Sequence, residues 1–315
     1  MNISNKKQLL LISPRGFCAG VTRAIDVVLE ALSKYGAPVY VKHEIVHNKH
    51  VIEELKSKGA VFVENINEVP EDRPLIFSAH GVSAGIVKEA RGKREVVVDA
   101  TCPLVTKVHV QAKKFHDQGF KVILIGHKGH PEVEGTMGQL PAGDIILVET
   151  VDDLKTLEFS ADDNIAFVTQ TTLSIDDTQE IITKLKEKFP HINSSPKEDI
   201  CYATTNRQNA IKAFAGECDA FIVVGSQNSS NSNRLVEVAK NAGCPKSNLL
   251  ENANELDVSE YKDNMKIGIS SGASVPEILV REVIDKFENS FETSIKSVAL
   301  GEENVKFKLP PEVRS

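Results

Sequence analysis

No apolar stretch in this chain approaches the ~20 residues that a membrane span needs, so no transmembrane segment is expected. Basic residues are not in excess: 37 Lys and Arg stand against 44 Asp and Glu, a formal net charge of −7. A nucleic-acid-binding face takes a basic patch, and none is expected here. Cysteine is sparse and odd in number, five in 315 residues, which argues against a secreted disulfide framework. There is no CxxC pair of the redox type and no GxGxxG loop for a nicotinamide or flavin dinucleotide. No low-complexity linker divides the chain. The opening residues, MNISNKKQLLLISPRG, hold one short apolar run with no small-residue cleavage site behind it. They read as the first β-strand of a cytoplasmic protein and not as a signal peptide. What is left, 41% hydrophobic and 26% charged, is the composition of a soluble globular enzyme-sized chain.

What the chain does have is an internal repeat. Cys18 lies in RGFCAGVTR, Cys102 in DATCPLVTK and Cys201 in DICYATTNR, each with a Thr four residues on, at Thr22, Thr106 and Thr205. Twenty residues after each Cys an apolar run begins, at 38–41, 122–125 and 221–224. Further on, Glu64-Asn65-Ile66, Glu149-Thr150-Val151 and Glu251-Asn252-Ala253 each close another short run. A third set follows at 75–78, 165–168 and 267–270. A fixed-order echo of this kind marks a threefold repeat, with one thiol in each copy.

Between the apolar runs lie helical patterns. Ala24, Val27, Val28, Ala31 and Leu32 make a 3.6-period stripe over 20–34. Ile181, Ile182, Leu185 and Phe189 do so over 176–189, where Pro190 ends the helix. Ile278, Leu279, Val283 and Ile284 repeat the stripe over 275–287. Continuous apolar strands alternating with such helices predict parallel sheets covered on both faces. The expected fold is α/β: three small lobes about a pseudo-threefold axis, at 19–102, 103–201 and 202–297. The strand before each Cys is expected in the preceding lobe, so the N-terminal strand, 8–18, would join the third. The tail, 298–315, alternates Val305, Phe307 and Leu309 before Pro310-Pro311 and is expected to pack across lobes as a strand.

Polar residues follow the apolar runs, where parallel α/β sheets place ligands. His43, His47, His127, His130 and Glu132 come after the first run of the first two copies, and Ser226, Ser229, Ser230 and Asn231 after that of the third. His80, then Thr169 to Thr172, then Ser270, Ser271 and Ser274 come after the later run. Imidazoles, hydroxyls, an amide and helix N-termini form an anion pocket suited to a diphosphate. Glu132 is the acid beside a matched His, placed to deliver a proton to a leaving hydroxyl; Thr171 is placed to relay protons or position substrate. Taken singly, each Cys suits a core position better than a ligand position; equivalent placement at strand-to-helix junctions reverses that for the set. Three thiolates with an open position fit catalytic zinc or an iron–sulfur cluster with one iron lacking a protein ligand, and spacing does not choose between them. Cys218 and Cys244 fall outside the repeat and read as small buried hydrophobes.

The blocks PRGFCAGVTRAI, EIVHN, FSAHGVS, DATCPLVTKVH, GHKGHPEVEGTMGQ, TQTTLS, DICYATTNRQ, GSQNSSNSNRL and SGAS occur in this order. Together they closely resemble the LytB family of 4-hydroxy-3-methylbut-2-enyl diphosphate reductases, from about residue 9 to the tail. The resemblance implies a trefoil of three α/β lobes around a central [4Fe–4S] cluster held by Cys18, Cys102 and Cys201. It implies diphosphate binding by His47, His80, His130, Ser229, Ser230, Asn231 and Ser274, proton donation by Glu132 and a substrate-hydroxyl contact by Thr171. The implied reaction is reductive dehydroxylation to isopentenyl and dimethylallyl diphosphate, the last step of the non-mevalonate isoprenoid route. Without a dinucleotide loop, electrons are expected from a separate carrier such as a ferredoxin or flavodoxin. A three-Cys zinc phosphohydrolase and an iron–sulfur metabolite sensor are the alternatives that the same thiols allow.

Overall fold

The computed structural model of the chain describes residues 6–160 and 162–314. After an opening strand, β1 (Lys6–Ser13), one order of helices and strands, α-β-α-β-β-α-β, runs three times. The first pass is α1 (Ala19–Tyr35), β2 (Val39–Lys42), α2 (Lys49–Ser57), β3 (Ala60–Val63), β4 (Leu75–Phe77), α3 (Ala84–Lys93) and β5 (Val97–Asp99). The second is α4 (Pro103–Asp117), β6 (Lys121–Ile125), α5 (Pro131–Met137), β7 (Ile145–Val148), β8 (Ile165–Thr169), α6 (Ile175–Lys188) and β9 (Asn193–Ser194). The third is α7 (Tyr202–Phe214), β10 (Ala220–Val224), α8 (Ser230–Asn241), β11 (Ser247–Leu250), β12 (Lys266–Ser271), α9 (Glu277–Ser290) and β13 (Glu292–Ala299).

The strands form three separate sheets, ordered β3-β2-β4-β5, β7-β6-β8-β9 and β11-β10-β12-β1-β13. Every pairing is parallel. In the third sheet β1 lies beside β12, the position that β5 holds beside β4 and β9 beside β8. Each of these three strands leads into one of the repeat cysteines. The extra strand is β13, which pairs with β1 from Lys6↔Glu292 to Ser13↔Ala299. The strand expected in the tail at 305–309 is not there, since those residues join no ladder. The edge strand lies earlier, over ETSIKSVA, where mostly exposed side chains leave no hydrophobic alternation to read.

Period-2 alternation accounts for the cores. Val122 and Leu124 of β6 face Val108, Ala112 and Phe115 of α4, while Ile123 and Ile125 face Ile181 and Leu185 of α6. Ile222 and Val224 of β10 pack with α9, and Phe221 and Val223 with α7 and α8. Both faces of these sheets are covered, which is why their strands read as unbroken apolar runs. Burying each such Val, Leu or Ile contributes about 1.5–3 kcal/mol.

The described chain divides into two compact units. One holds the residues up to Cys18, His47–Lys49 and Tyr202–Val305, and with them the third sheet. The other holds Ala19–Val46, His50–Cys201 and the residues from Lys306 on, with the first and second sheets. Among the described residues no helix is long and apolar enough to cross a membrane.

Candidate active site

The repeat cysteines occupy one local geometry three times. Cys18 immediately precedes α1, Cys102 caps α4 and Cys201 immediately precedes α7. The amide of Cys18 donates to the carbonyl of Ala273, that of Cys102 to Ala79 and that of Cys201 to Thr171, each at 3.0 Å. Each acceptor is the second residue past a central strand, β12, β4 and β8 respectively. All three cysteines are half-buried. Each therefore stands, partly exposed, at the start of a helix. Cys218 and Cys244 differ on both counts. They are buried in the core of the third sheet, and burial pushes the Cys218 thiol up to about 11 and raises that of Cys244.

In the unit with two sheets, α5 sets an acid beside Thr171. Pro131 opens the helix, and the His130 ring accepts the Glu132 amide through Nδ1 at 3.1 Å. Glu132 is only 3% exposed. Its Oε1 accepts the Thr171 amide at 2.6 Å and its Oε2 pairs with Thr171 Oγ1 at 2.9 Å. Burial pushes the Glu132 carboxyl up to about 7, overriding the two Thr171 hydrogen bonds that pull it down. The group therefore holds an exchangeable proton near neutrality. Thr171 is also the residue whose carbonyl receives the Cys201 amide, so one residue ties the acid to a thiol junction.

The neighbouring loop is held from two directions. Gln170 Oε1 accepts the His127 amide at 3.0 Å, and Glu149 Oε2 accepts the Lys128 amide at 2.8 Å. His80 meets His130 edge-on with ring centroids 5.9 Å apart, and His43 in the same manner at 6.0 Å. The His80 turn depends on Gly81, whose φ is 80°. A Cβ there would also stand 2.7 Å from the His109 ring. His109 itself is buried, and burial drives its pKa down to about 4, so it packs as a neutral imidazole.

In the other unit, Ser229 caps α8. Its Oγ accepts the Ser232 amide at 3.3 Å, and the Ser232 hydroxyl bonds to it at 3.0 Å. Ser232 is fully buried. A Cβ on Gly225 would lie 2.3 Å from its Oγ, and one on Gly272 2.1 Å. Glycine at these two strand ends makes the room that the serine occupies. Asn231 is buried, and neither Oδ1 nor Nδ2 has a hydrogen-bond partner among the described residues. A buried amide with both ends unmatched is rare in a finished core and suits a ligand-facing position. Ser274 Oγ donates to the His47 carbonyl at 3.0 Å, and Asn228 Nδ2 stands 3.4 Å from His47 Nδ1. Glu251 braces this loop by accepting the Gln227 amide and the Lys49 ammonium.

Of the residues singled out in the sequence, one unit gathers Glu132, Thr171, His80, His130, Cys102 and Cys201. The other gathers Cys18, His47, Ser229, Ser230, Asn231 and Ser274. Sequence reasoning placed Gln170 among the polar residues past β8 but missed Ser232 and Gly272. Ser232 sits inside SQNSSNSN, where composition alone does not separate a buried serine from an exposed one. The brace glutamates Glu64, Glu149 and Glu251 were visible as an echo of the repeat but carried no role. Their shared position past β3, β7 and β11 supplies one, because each reaches the loop past the preceding, paired strand, β2, β6 or β10.

The sequence profile described as LytB protein matches residues 9–288. A 4-hydroxy-3-methylbut-2-enyl diphosphate reductase of Cereibacter sphaeroides is 55% identical over 96% of this chain and 95% of its own length. One of Paracoccus denitrificans is 54% identical over 97% of both. Among solved structures, the E-1-hydroxy-2-methyl-but-2-enyl-4-diphosphate reductase of Plasmodium falciparum matches with a TM-score of 0.95 at 43% identity, covering 98% of this chain and 97% of that one. A second, described as the terminal enzyme of the non-mevalonate pathway, matches with a TM-score of 0.65 at 32% identity over 90% of this chain and 99% of its own. Relatives this similar over nearly their whole length, with three parallel sheets and the repeated thiol junctions, leave one assignment: the chain belongs to the LytB family.

Proposed function

We propose that this chain is a 4-hydroxy-3-methylbut-2-enyl diphosphate reductase that produces isopentenyl and dimethylallyl diphosphate, the final step of the non-mevalonate isoprenoid route. The support is identity of 53–55% to relatives of that name over nearly the full chain. The observation that carries the site is the cysteine junction repeated three times, which sets Cys18, Cys102 and Cys201 apart from Cys218 and Cys244. Half-buried sulfurs at helix starts fit thiolate ligation of a [4Fe–4S] cluster. Such a cluster, with one iron free of protein ligands, supplies Lewis acidity and single-electron transfer when bound.

The rest falls to the chain's own side chains. The reaction consumes two electrons and two protons and releases one water from the allylic carbon. Glu132, protonated near pH 7 and enclosed with Thr171, delivers the proton that lets hydroxide leave as water. The Thr171 hydroxyl orients the substrate hydroxyl. His47, His80, His130, Ser229, Ser230, Asn231 and Ser274 hold the diphosphate. Asn231, with both amide ends unmatched, is the clearest of these as a ligand-binding group. Electrons come from a ferredoxin or flavodoxin, and a sparse, odd count of five cysteines suits the reducing cytoplasm.

Anaerobic purification followed by iron and sulfide analysis, with turnover driven by an artificial one-electron donor, tests the reading. Cys18→Ser, Cys102→Ser and Cys201→Ser should each abolish the brown chromophore and product formation. Cys218→Ser and Cys244→Ser should keep both. A colourless, zinc-bound wild-type protein would sink the assignment.

A further inference from the structure

The segments that open each cysteine helix end in a cation: Arg23 five residues after Cys18, Lys107 five after Cys102 and Arg207 six after Cys201. Among the described residues, none of the three reaches back to its own cysteine's approach strand. Arg23 donates to the carbonyls of Thr101 at 3.0 Å and Asp99 at 3.3 Å, in the segment that leads into Cys102. Lys107 donates to the carbonyls of Lys197 at 3.1 Å and Glu198 at 2.7 Å and to Asp199 Oδ1 at 3.2 Å, in the segment that leads into Cys201. Arg207 donates to the carbonyl of Gly16 at 2.7 Å, in the segment that leads into Cys18. The order closes on itself: the helix after the first cysteine clasps the approach to the second, the second the third, and the third the first.

Each clasp has further acceptors. Arg207 is fully buried and pairs with Glu303 through Nη1 at 2.9 and 3.1 Å. Arg23 takes the carbonyl of Lys308 at 2.8 Å. Asp199, buried, serves Lys107 and also accepts the Thr169 amide and the Ser195 hydroxyl. So the C-terminal segment completes two clasps and the approach to Cys201 completes its own. The approach residues Gly16, Asp99, Thr101, Lys197, Glu198 and Asp199 lie outside the helices. A multi-donor cation binds several such acceptors at once, and hydrogen bonds from a charged donor are about twice as strong as neutral ones.

We propose that Arg23, Lys107 and Arg207 are positioning residues forming a cyclic clasp, each fixing the approach segment of the next cysteine in the cycle so that the three thiols are held ready for their metal cluster. The cluster part rests on the reading under Proposed function; the clasp part does not.

The test uses the full chain, purified anaerobically, in the variants Arg23→Met, Lys107→Met and Arg207→Met with Glu303→Gln, beside Arg23→Lys and Lys107→Arg. Two readouts are taken: amide hydrogen exchange of the three approach segments, and the rate of iron loss to a chelator followed by visible absorbance. Exchange should rise by about tenfold or more, the scale expected when a locally stabilising charged contact is removed. The rise should fall at 99–102 for the Arg23 variant, at 197–201 for Lys107 and at 14–18 for Arg207, with the other two segments unchanged. Iron loss should accelerate in all three, and Lys107→Arg and Arg23→Lys should recover much of it. Lys107 is partly exposed and Arg23 half-buried, so these two variants decide the matter even if the buried Arg207 variant does not fold. A uniform rise in all segments, a rise confined to each variant's own helix, or no change in folded protein would overturn the clasp. A wild-type chain without iron or sulfide would instead overturn the cluster reading, while the exchange pattern still decides the clasp.

Discussion

The Glu132–Thr171 pair and the Ser229–Asn231 turn are built on opposite plans. In the first, every oxygen of a buried carboxyl is matched by the protein itself, two bonds at 2.6 and 2.9 Å. In the second, a serine caps the helix and braces a buried neighbour, while the amide beside it has no partner at either end among the described residues. A group that moves a proton must keep its geometry with or without a ligand, so its partners are internal. A group that binds an anion keeps its hydrogen-bonding capacity for the ligand and bears an unmet polar cost in the free chain. The contrast separates chemistry from binding without knowledge of the substrate.

The largest test of that contrast is Glu132→Gln. The amide keeps the shape and loses the proton. Turnover should fall by about 10²-fold or more, the usual worth of a positioned general acid, with KM little changed. That pattern marks an interaction used in the transition state. In the wild type, kcat should decline as pH rises through about 7, where the carboxyl loses its proton, and the variant should lack that limb. Stability carries the same signature. The folded carboxyl titrates near 7 and the unfolded one near its ordinary 4.5, so the folded state binds more protons between the two. Wild-type stability should therefore fall as pH rises across that window, by at most about 3 kcal/mol. Glu132→Gln should be flat there by comparison. Denaturant titrations of both chains at several pH values check it, and parallel pH profiles would exclude the raised pKa.

Gly272→Ala probes the other side of the contrast. Its Cβ would stand 2.1 Å from Ser232 Oγ, so the turn must shift. Overpacking of this kind costs about 1–3 kcal/mol, and substrate affinity should fall with it because Asn231 and Ser229 share the turn. Adding Ser232→Ala removes the clashing oxygen and should restore part of the stability but not the Ser229–Ser232 hydrogen bond. If Gly272→Ala alone melts at the wild-type temperature, the packing argument is wrong.

Much of this was legible in the chain before folding. The fully buried strands read directly, because two-sided burial demands continuous Val, Ile and Leu. The three cysteines read as a set because a repeat fixes position more firmly than any single motif. The edge strand β13 did not read: one covered side and exposed residues such as Glu292 and Lys296 leave no period to detect. Nor did the division of the polar loops into matched and unmatched groups. His80, Thr171 and Asn231 all stand in polar stretches of the sequence, and only three-dimensional partners tell which of them is already satisfied. The cations Arg23, Lys107 and Arg207 stood inside the very segments that revealed the repeat. Their reach to the next cysteine's approach is long-range, and nothing local encodes it.

Asn231→Ala gives the smallest effect and the sharpest contrast with Glu132. Removing a hydrogen-bonding partner of a bound diphosphate should weaken substrate binding by about tenfold, near 1.4 kcal/mol, and raise KM with kcat nearly kept. The ligand-free chain should lose no stability from hydrogen bonding, because the amide has none to lose. Relief of its unmet desolvation offsets the small cavity left by truncation, so the net change should lie within about 1 kcal/mol of zero. Glu132→Gln is expected to do the reverse, changing turnover and leaving binding alone. Isothermal titration with inorganic pyrophosphate, alongside thermal melts of the ligand-free protein, separates the two. A wild-type pyrophosphate affinity in Asn231→Ala, or a melt lowered as far as that of a core truncation, would show that the amide is structural and that its partner is not the substrate.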